Sequence, residues 1–217
     1  YWLKTNLFFY IDDVNSIKSG EKCYVIGRKG MGKTAISEHL YNQNSDHVFS
    51  ERLSFKNFPF NLLYTLDNNI YTSPNQYITI WKYLIYNGVC KMMAKNNALD
   101  PKLLKALNKV YSSQPIKALN KLVAKWTASG FGAEILGCGV NVEGITTNIN
   151  NITWAEKTDI FEDIIEHYAD DSYYYILIDE LDEDYRDFEN ENQRKTYIYL
   201  LTSLFKAVQN IRAYFKD

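Results

Sequence analysis

Hydrophobic and polar positions change period several times along this chain, and each change marks an element. The apolar run Cys23-Tyr24-Val25-Ile26 predicts a buried strand over 22–27, and Lys33 to Tyr41 then predicts a helix over 32–43. Glu51 to Lys56 predicts a second strand, ended by a turn around Asn57 to Pro59. Ser73-Pro74-Asn75-Gln76 has the form of a capping box with proline at the first helical position. It opens a long helix with Ile78, Trp81, Leu84, Ile85 and Val89 on one face. Asp100-Pro101 opens another helix, and Ser113 with Pro115 a third. From Gly130 to Gly144 the alternation predicts a β-hairpin with Gly137 and Gly139 near the bend, followed by an Asn/Thr loop over 146–152. Thr153-Trp154-Ala155-Glu156 is a further capping box, and its helix buries Ile160, Phe161, Ile164, Ile165 and Tyr168. A strand at 173–179 and an amphipathic helix from about 191 to 215 follow. Residues 1–20 form an approach segment, with Phe8, Phe9 and Tyr10 as packing or base-contacting aromatics, packing being the commoner role.

Helices between apolar strands indicate an α/β fold with a mostly parallel sheet flanked by helices. At 217 residues, with 46% hydrophobic and 23% charged positions, the chain suits one α/β domain carrying a large insertion. The net charge of −2 gives no global attraction to nucleic acid or membrane. No apolar stretch reaches membrane-spanning length, and the first ten residues lack the build of a secretory signal. Three cysteines, at 23, 90 and 138, lack metal-ligand spacing and fit a reducing cytoplasm, with Cys23 expected as a small core residue. Abundant Tyr, Asn, Ile, Lys and Phe hint at an AT-rich bacterial genome, and Tyr at position 1 at an incomplete reading frame.

One segment changes the picture from fold to chemistry. Gly27-Arg28-Lys29-Gly30-Met31-Gly32-Lys33-Thr34 fits G-x-x-x-x-G-K-[ST] at every fixed position. At average composition such a match arises by accident on the order of once per hundred chains of this length. A flanking strand and helix make an accidental match rarer still. Backbone N–H groups of such a loop wrap around nucleotide phosphates, and the helix N-terminus adds partial positive charge. Lys33 is expected on the β/γ-phosphates and the Thr34 hydroxyl on Mg²⁺, with Gly27, Arg28, Lys29, Gly30, Met31, Gly32 and Ala35 completing the cradle.

Tyr173 to Glu180 supplies a second half. This apolar strand ends in two acids, where Asp179 fits the magnesium shell and Glu180 the polarisation of an attacking water. Both acids and the loop fall at the carboxyl ends of expected strands, where open α/β sheets bind ligands. The acids beyond, Asp182, Glu183, Asp184, Asp187 and Glu189, exceed what one magnesium site needs and read as a solvated loop. Arg186 and Arg194 are the nearest downstream arginines for a γ-phosphate, though surface pairing is the commoner use. No N-K-x-D guanine signature occurs, which favours ATP.

Leu104 to Lys109 echoes Ile116 to Lys121 at a twelve-residue offset. With Lys102, Lys105, Lys109, Lys117, Lys121 and Lys125 this stretch offers a basic face for nucleic acid. Sparse aromatics and the absence of arginine there favour a solvated helical hairpin instead.

The wording I-G-R-K-G-M-G-K-T, after Gly20-Glu21-Lys22 and before I-L-I-D-E-L-D, resembles a bacterial P-loop ATPase family related to the STAND and KAP nucleoside triphosphatases. The match is good over about 18–41 and 173–185, and looser at 53–56 and 80–86. The resemblance implies an AAA+-like P-loop fold with an additional catalytic glutamate. Lys33 and Thr34 then contact phosphate and magnesium, and Asp179 and Glu180 are the Walker B pair. It also implies a multidomain, defence-linked protein that works as an oligomer or with partner subunits. Such domains continue past Walker B to a sensor strand, so we expect 1–217 to be an N-terminal part with an incomplete sheet, and 98–150 to be an insertion. ATP hydrolysis driving a conformational switch is the leading expectation. A nucleic-acid motor or loader and a non-hydrolysing, nucleotide-bound scaffold are the alternatives.

Overall fold

The computed structural model describes residues 13–43, 45–54, 75–112, 154–179, 181 and 191–215. Within them the chain runs α1 (Asp13–Lys18), α2 (Lys33–Tyr41), β1 (Val48–Ser54), α3 (Asn75–Met93), α4 (Pro101–Ser112), α5 (Trp154–Tyr168), β2 (Tyr173–Asp179) and α6 (Glu191–Tyr214). The arrangement is mixed α/β. The described sheet has two strands, β1 and β2, which pair in parallel from Val48 opposite Tyr173 to Ser54 opposite Asp179.

Period-two alternation gives this sheet two different faces. On one, Ser50 Oγ donates to Leu40 O at 3.2 Å and Arg52 Nη1 to Glu38 Oε1 at 3.0 Å, so α2 covers it. On the other, Leu53, Tyr174, Ile176 and Ile178 join the hydrophobic core with α3, while Glu51 pairs with Lys91 and Lys95 of α3. A three-layer order of α2, sheet and α3 follows from these alternating strand contacts.

α3 is the central element because nearly its whole circumference is apolar. Trp81, Tyr83, Leu84, Tyr86 and Cys90 are buried, and α5 and α6 pack on it with Phe161, Ile164, Leu200, Leu204 and Ala207. Burying a large aliphatic or aromatic side chain stabilises by roughly 1.5–3 kcal/mol, so this cluster is the main source of stability. Its polar atoms are matched. Trp81 Nε1 donates to Leu200 O at 3.1 Å, and the Tyr111 hydroxyl donates to Asn87 Oδ1 at 3.0 Å. Tyr83 meets Phe161 edge-on at 5.2 Å, and burial pushes both the Tyr83 hydroxyl and the Cys90 thiol up.

A polar knot joins the turn after α3 to the start of β2. Asn96 Nδ2 donates to Asp170 Oδ2 at 2.9 Å and to the Tyr174 hydroxyl at 2.7 Å, while that hydroxyl donates to Asp170 Oδ1 at 2.8 Å. Burial raises the Asp170 carboxyl, but donors from Asn96, Tyr174 and Ser172 outweigh it and hold the group at about 2.

The long helices and β2 lie where the hydrophobic pattern puts them, and the remaining expectations need adjustment. Residues 22–28 form no strand, and Cys23 to Ile26 are exposed, Ile26 at 92%. A strand exists only through its ladder, and β2 is paired with β1, leaving 22–27 without a ladder partner among the described residues. Cys23 is therefore not a core residue; it accepts from Arg212 Nη1 at 3.0 Å instead. The second strand begins at Val48 rather than Glu51, in register with β2 from Tyr173, and is described as far as Ser54; residues 55 and 56 lie outside the described residues. The approach segment contains a helix, α1, where none was expected. The aromatics at 8–10, the turn at 57–59, Ser73-Pro74, the third helix from Ser113, the hairpin at 130–144 and the loop at 146–152 lie outside the described residues. So do Thr153, Glu180, the acids from Asp182 to Glu189, and Arg186.

Candidate functional site

The loop before α2 owes its shape to two glycines. Gly30 and Gly32 have φ of 87° and 86°, left-handed values that cost an L-residue roughly 1–2 kcal/mol. A Cβ at either would meet nothing within 4 Å, so the demand for glycine comes from the backbone and not from packing. Gly32 is also the N-cap of α2, and its position supplies no side-chain cap to the first turn. The α2 N-terminus thus presents amides that a helix cannot satisfy within itself. Gly27 to Gly32, Thr34 and Ala35 are exposed. Lys33 folds back on the loop: its Nζ donates to Gly27 O at 2.7 Å and Arg28 O at 3.1 Å. The ammonium therefore lies against the loop that leads into the α2 N-terminus.

The direction of α2 brings this loop to the carboxyl end of the sheet. Glu38 contacts Arg52 and Leu40 contacts Ser50, so rising numbers on the helix match falling numbers on the strand. From Glu38 back to Thr34 is about 6 Å along the helix axis. From Arg52 forward to Ser54, which pairs with Asp179, is about 7 Å along the strand. Thr34 and Asp179 consequently lie on the same side of the Glu38–Arg52 contact, toward the carboxyl end of the sheet, and Asp179 is on the strand face that α2 covers.

Side chains absent from the sequence-based expectation brace the approach to the loop. Arg212 of α6 donates to Gly20 O at 2.8 Å, Tyr24 packs edge-on against Phe205 at 4.9 Å, and the Tyr175 hydroxyl donates to Lys18 O at 2.9 Å. On the sheet, Arg52 lies one pleat before Asp179 with its guanidinium 4.7 Å from the Tyr41 ring centroid. Its place in ERLSFK reads as an ordinary outward strand position, and only the register with β2 reveals its neighbours. Arg194 is exposed in the first turn of α6.

Among the described residues no three His, Cys, Asp or Glu side chains gather into a metal site. The available donors are the Thr34 hydroxyl and the Asp179 carboxylate. Such an all-oxygen, ligand-poor set suits a hard cation that keeps several of its own waters and shares phosphate oxygens, as Mg²⁺ does. Lys102 and Lys105 are exposed on α4, and the rest of the expected basic face lies outside what is described of the side chains. No described helix is long and apolar enough to cross a membrane. Comparison with protein-family models, with curated proteins and with solved structures finds no match.

Proposed function

We propose that the chain binds Mg²⁺-ATP at the Gly27–Thr34 loop and hydrolyses it, with nucleotide state setting the arrangement of neighbouring domains or subunits. The observation that carries this reading is the placement of two features toward one end of the sheet. One is the glycine-shaped loop and side-chain-uncapped start of α2; the other is Asp179 at the end of β2. Lys33 would leave the carbonyls of Gly27 and Arg28 for the β/γ-phosphates, exchanging neutral acceptors for charged ones. Loop and α2 amides would hold the phosphate oxygens, while Thr34 and Asp179 hold Mg²⁺. When bound, Mg²⁺ supplies charge neutralisation across the β- and γ-phosphates. Glu180 accepts a hydrogen bond from the attacking water and aligns it with the γ-phosphorus. A switch follows if γ-phosphate contacts order an element that product release frees.

Equilibrium binding of Mg²⁺-ATP to the wild-type chain and to Lys33→Ala tests the assignment. Loss of binding in the variant is expected, and equal affinity overturns it. Glu180→Gln is expected to keep binding and lose turnover.

A further inference from the structure

Arg52 has more hydrogen-bonding capacity than its neighbours use. Nη1 is taken by Glu38 of α2, and the guanidinium plane is fixed over Tyr41 at 4.7 Å. Nε and Nη2 are buried and have no hydrogen-bond partner among the described residues. Buried donors left unsatisfied lose their water hydrogen bonds without replacement, so a fork held this way needs a reason. The register supplies one. Arg52 stands opposite Leu177 and Ser54 opposite Asp179, which puts Arg52 and Asp179 on one face, diagonal neighbours across the ladder. A diagonal pair is within reach of a long side chain. The guanidinium is held above its ordinary range first by the hydrogen bond it donates to Glu38, with the charges of Glu38, Tyr41 and Asp179 adding.

We infer that Arg52 is a positioning residue for Asp179, whose unused guanidinium edge orients the carboxylate and ties it, through Glu38, to the helix that follows the loop. This rests on the Mg²⁺-nucleotide reading above. Glu38 neutralises Arg52, so the pair places no net positive charge against a divalent cation. What it would contribute is direction: a carboxylate taken on that edge would present its other oxygen in a fixed orientation. Lysine would keep the charge but lack the fork. The Arg52–Glu38 pair joins β1 to α2 one pleat before the register position of Asp179, so a shift of α2 moves this guanidinium.

The test keeps net charge constant by replacing the pair together, in Glu38→Gln/Arg52→Met. Binding of a fluorescent ATP analogue is followed in EDTA, then with increasing Mg²⁺. The double variant is expected to keep its metal-free affinity and to raise the Mg²⁺ midpoint about tenfold, the size typical of losing a residue behind a metal ligand. In an Asp179→Asn background the same double change is expected to add nothing, because the carboxylate it orients is gone. An unchanged midpoint in the pair variant overturns the proposal, as does an equal shift in both backgrounds. Arg52→Lys provides a milder variant, expected to show part of the shift with the fold kept. Failure of the wild-type chain to bind the analogue at all contradicts the nucleotide reading, and is seen before any variant is made.

Discussion

Gly88 of α3 sits directly against Ile176 of β2: a Cβ on Gly88 would lie 2.6 Å from Ile176 Cδ1. This is the point where the central helix comes down onto the strand that ends in Asp179. A glycine in mid-helix ordinarily weakens the helix by roughly 1 kcal/mol, and here it allows the close approach. Gly88→Ala is therefore expected to destabilise the protein by about 1–2 kcal/mol, the overlap outweighing the better helix propensity. Gly88→Ala/Ile176→Val removes the clashing methyl and is expected to recover most of that loss. Urea unfolding of the two proteins decides it; a Gly88→Ala protein more stable than wild type would contradict this packing.

Gly32 gives a contrasting case, because nothing lies near its missing Cβ. Its φ of 86° alone predicts that Gly32→Ala costs roughly 1–2 kcal/mol. Gly32→Asn is expected to cost less, since asparagine tolerates the left-handed region. Both are read from unfolding midpoints, and equal costs would show that the backbone angle is not what selects glycine.

Acid stability tests the knot around Asp170. The folded carboxyl titrates at about 2 against 3.8 when unperturbed, so its contribution is full above the unfolded value and disappears as pH falls through the folded one. The difference in stability between wild type and Asp170→Asn is expected to be flat above about pH 5 and to shrink between about pH 4 and 2. A difference independent of pH across that window would mean that the ionised carboxylate is not what these donors favour.

The sequence made the helices legible because their period and caps are local. Asp100 Oδ1 accepts from Lys102 N at 2.7 Å and Leu103 N at 3.2 Å, the N-cap that the Asp-Pro pair announces. β2 was equally legible, as seven apolar-rich residues bounded by acids. Strand properties that depend on a neighbour were not. Cys23 to Ile26 has strand composition but no ladder partner among the described residues, and β1 begins at Val48 because Tyr173 stands opposite it. The loop could be read from residue spacing, whereas its placement toward the same end of the sheet as Asp179 needed the antiparallel seat of α2 on β1. Arg52 and Arg212 were hidden for the same reason. Their significance lies in contacts with Glu38 and Gly20, which lie 14 and 192 positions away.

Calorimetric titration of ATP into the wild-type chain, first with Mg²⁺ and then with EDTA, tests the central claim that loop and strand end form one site. Binding is expected in both conditions, tighter with Mg²⁺ by about tenfold or more, with that increment absent in Asp179→Asn. Identical Mg²⁺ dependence in wild type and Asp179→Asn, or affinity indifferent to Mg²⁺ in both, would contradict it.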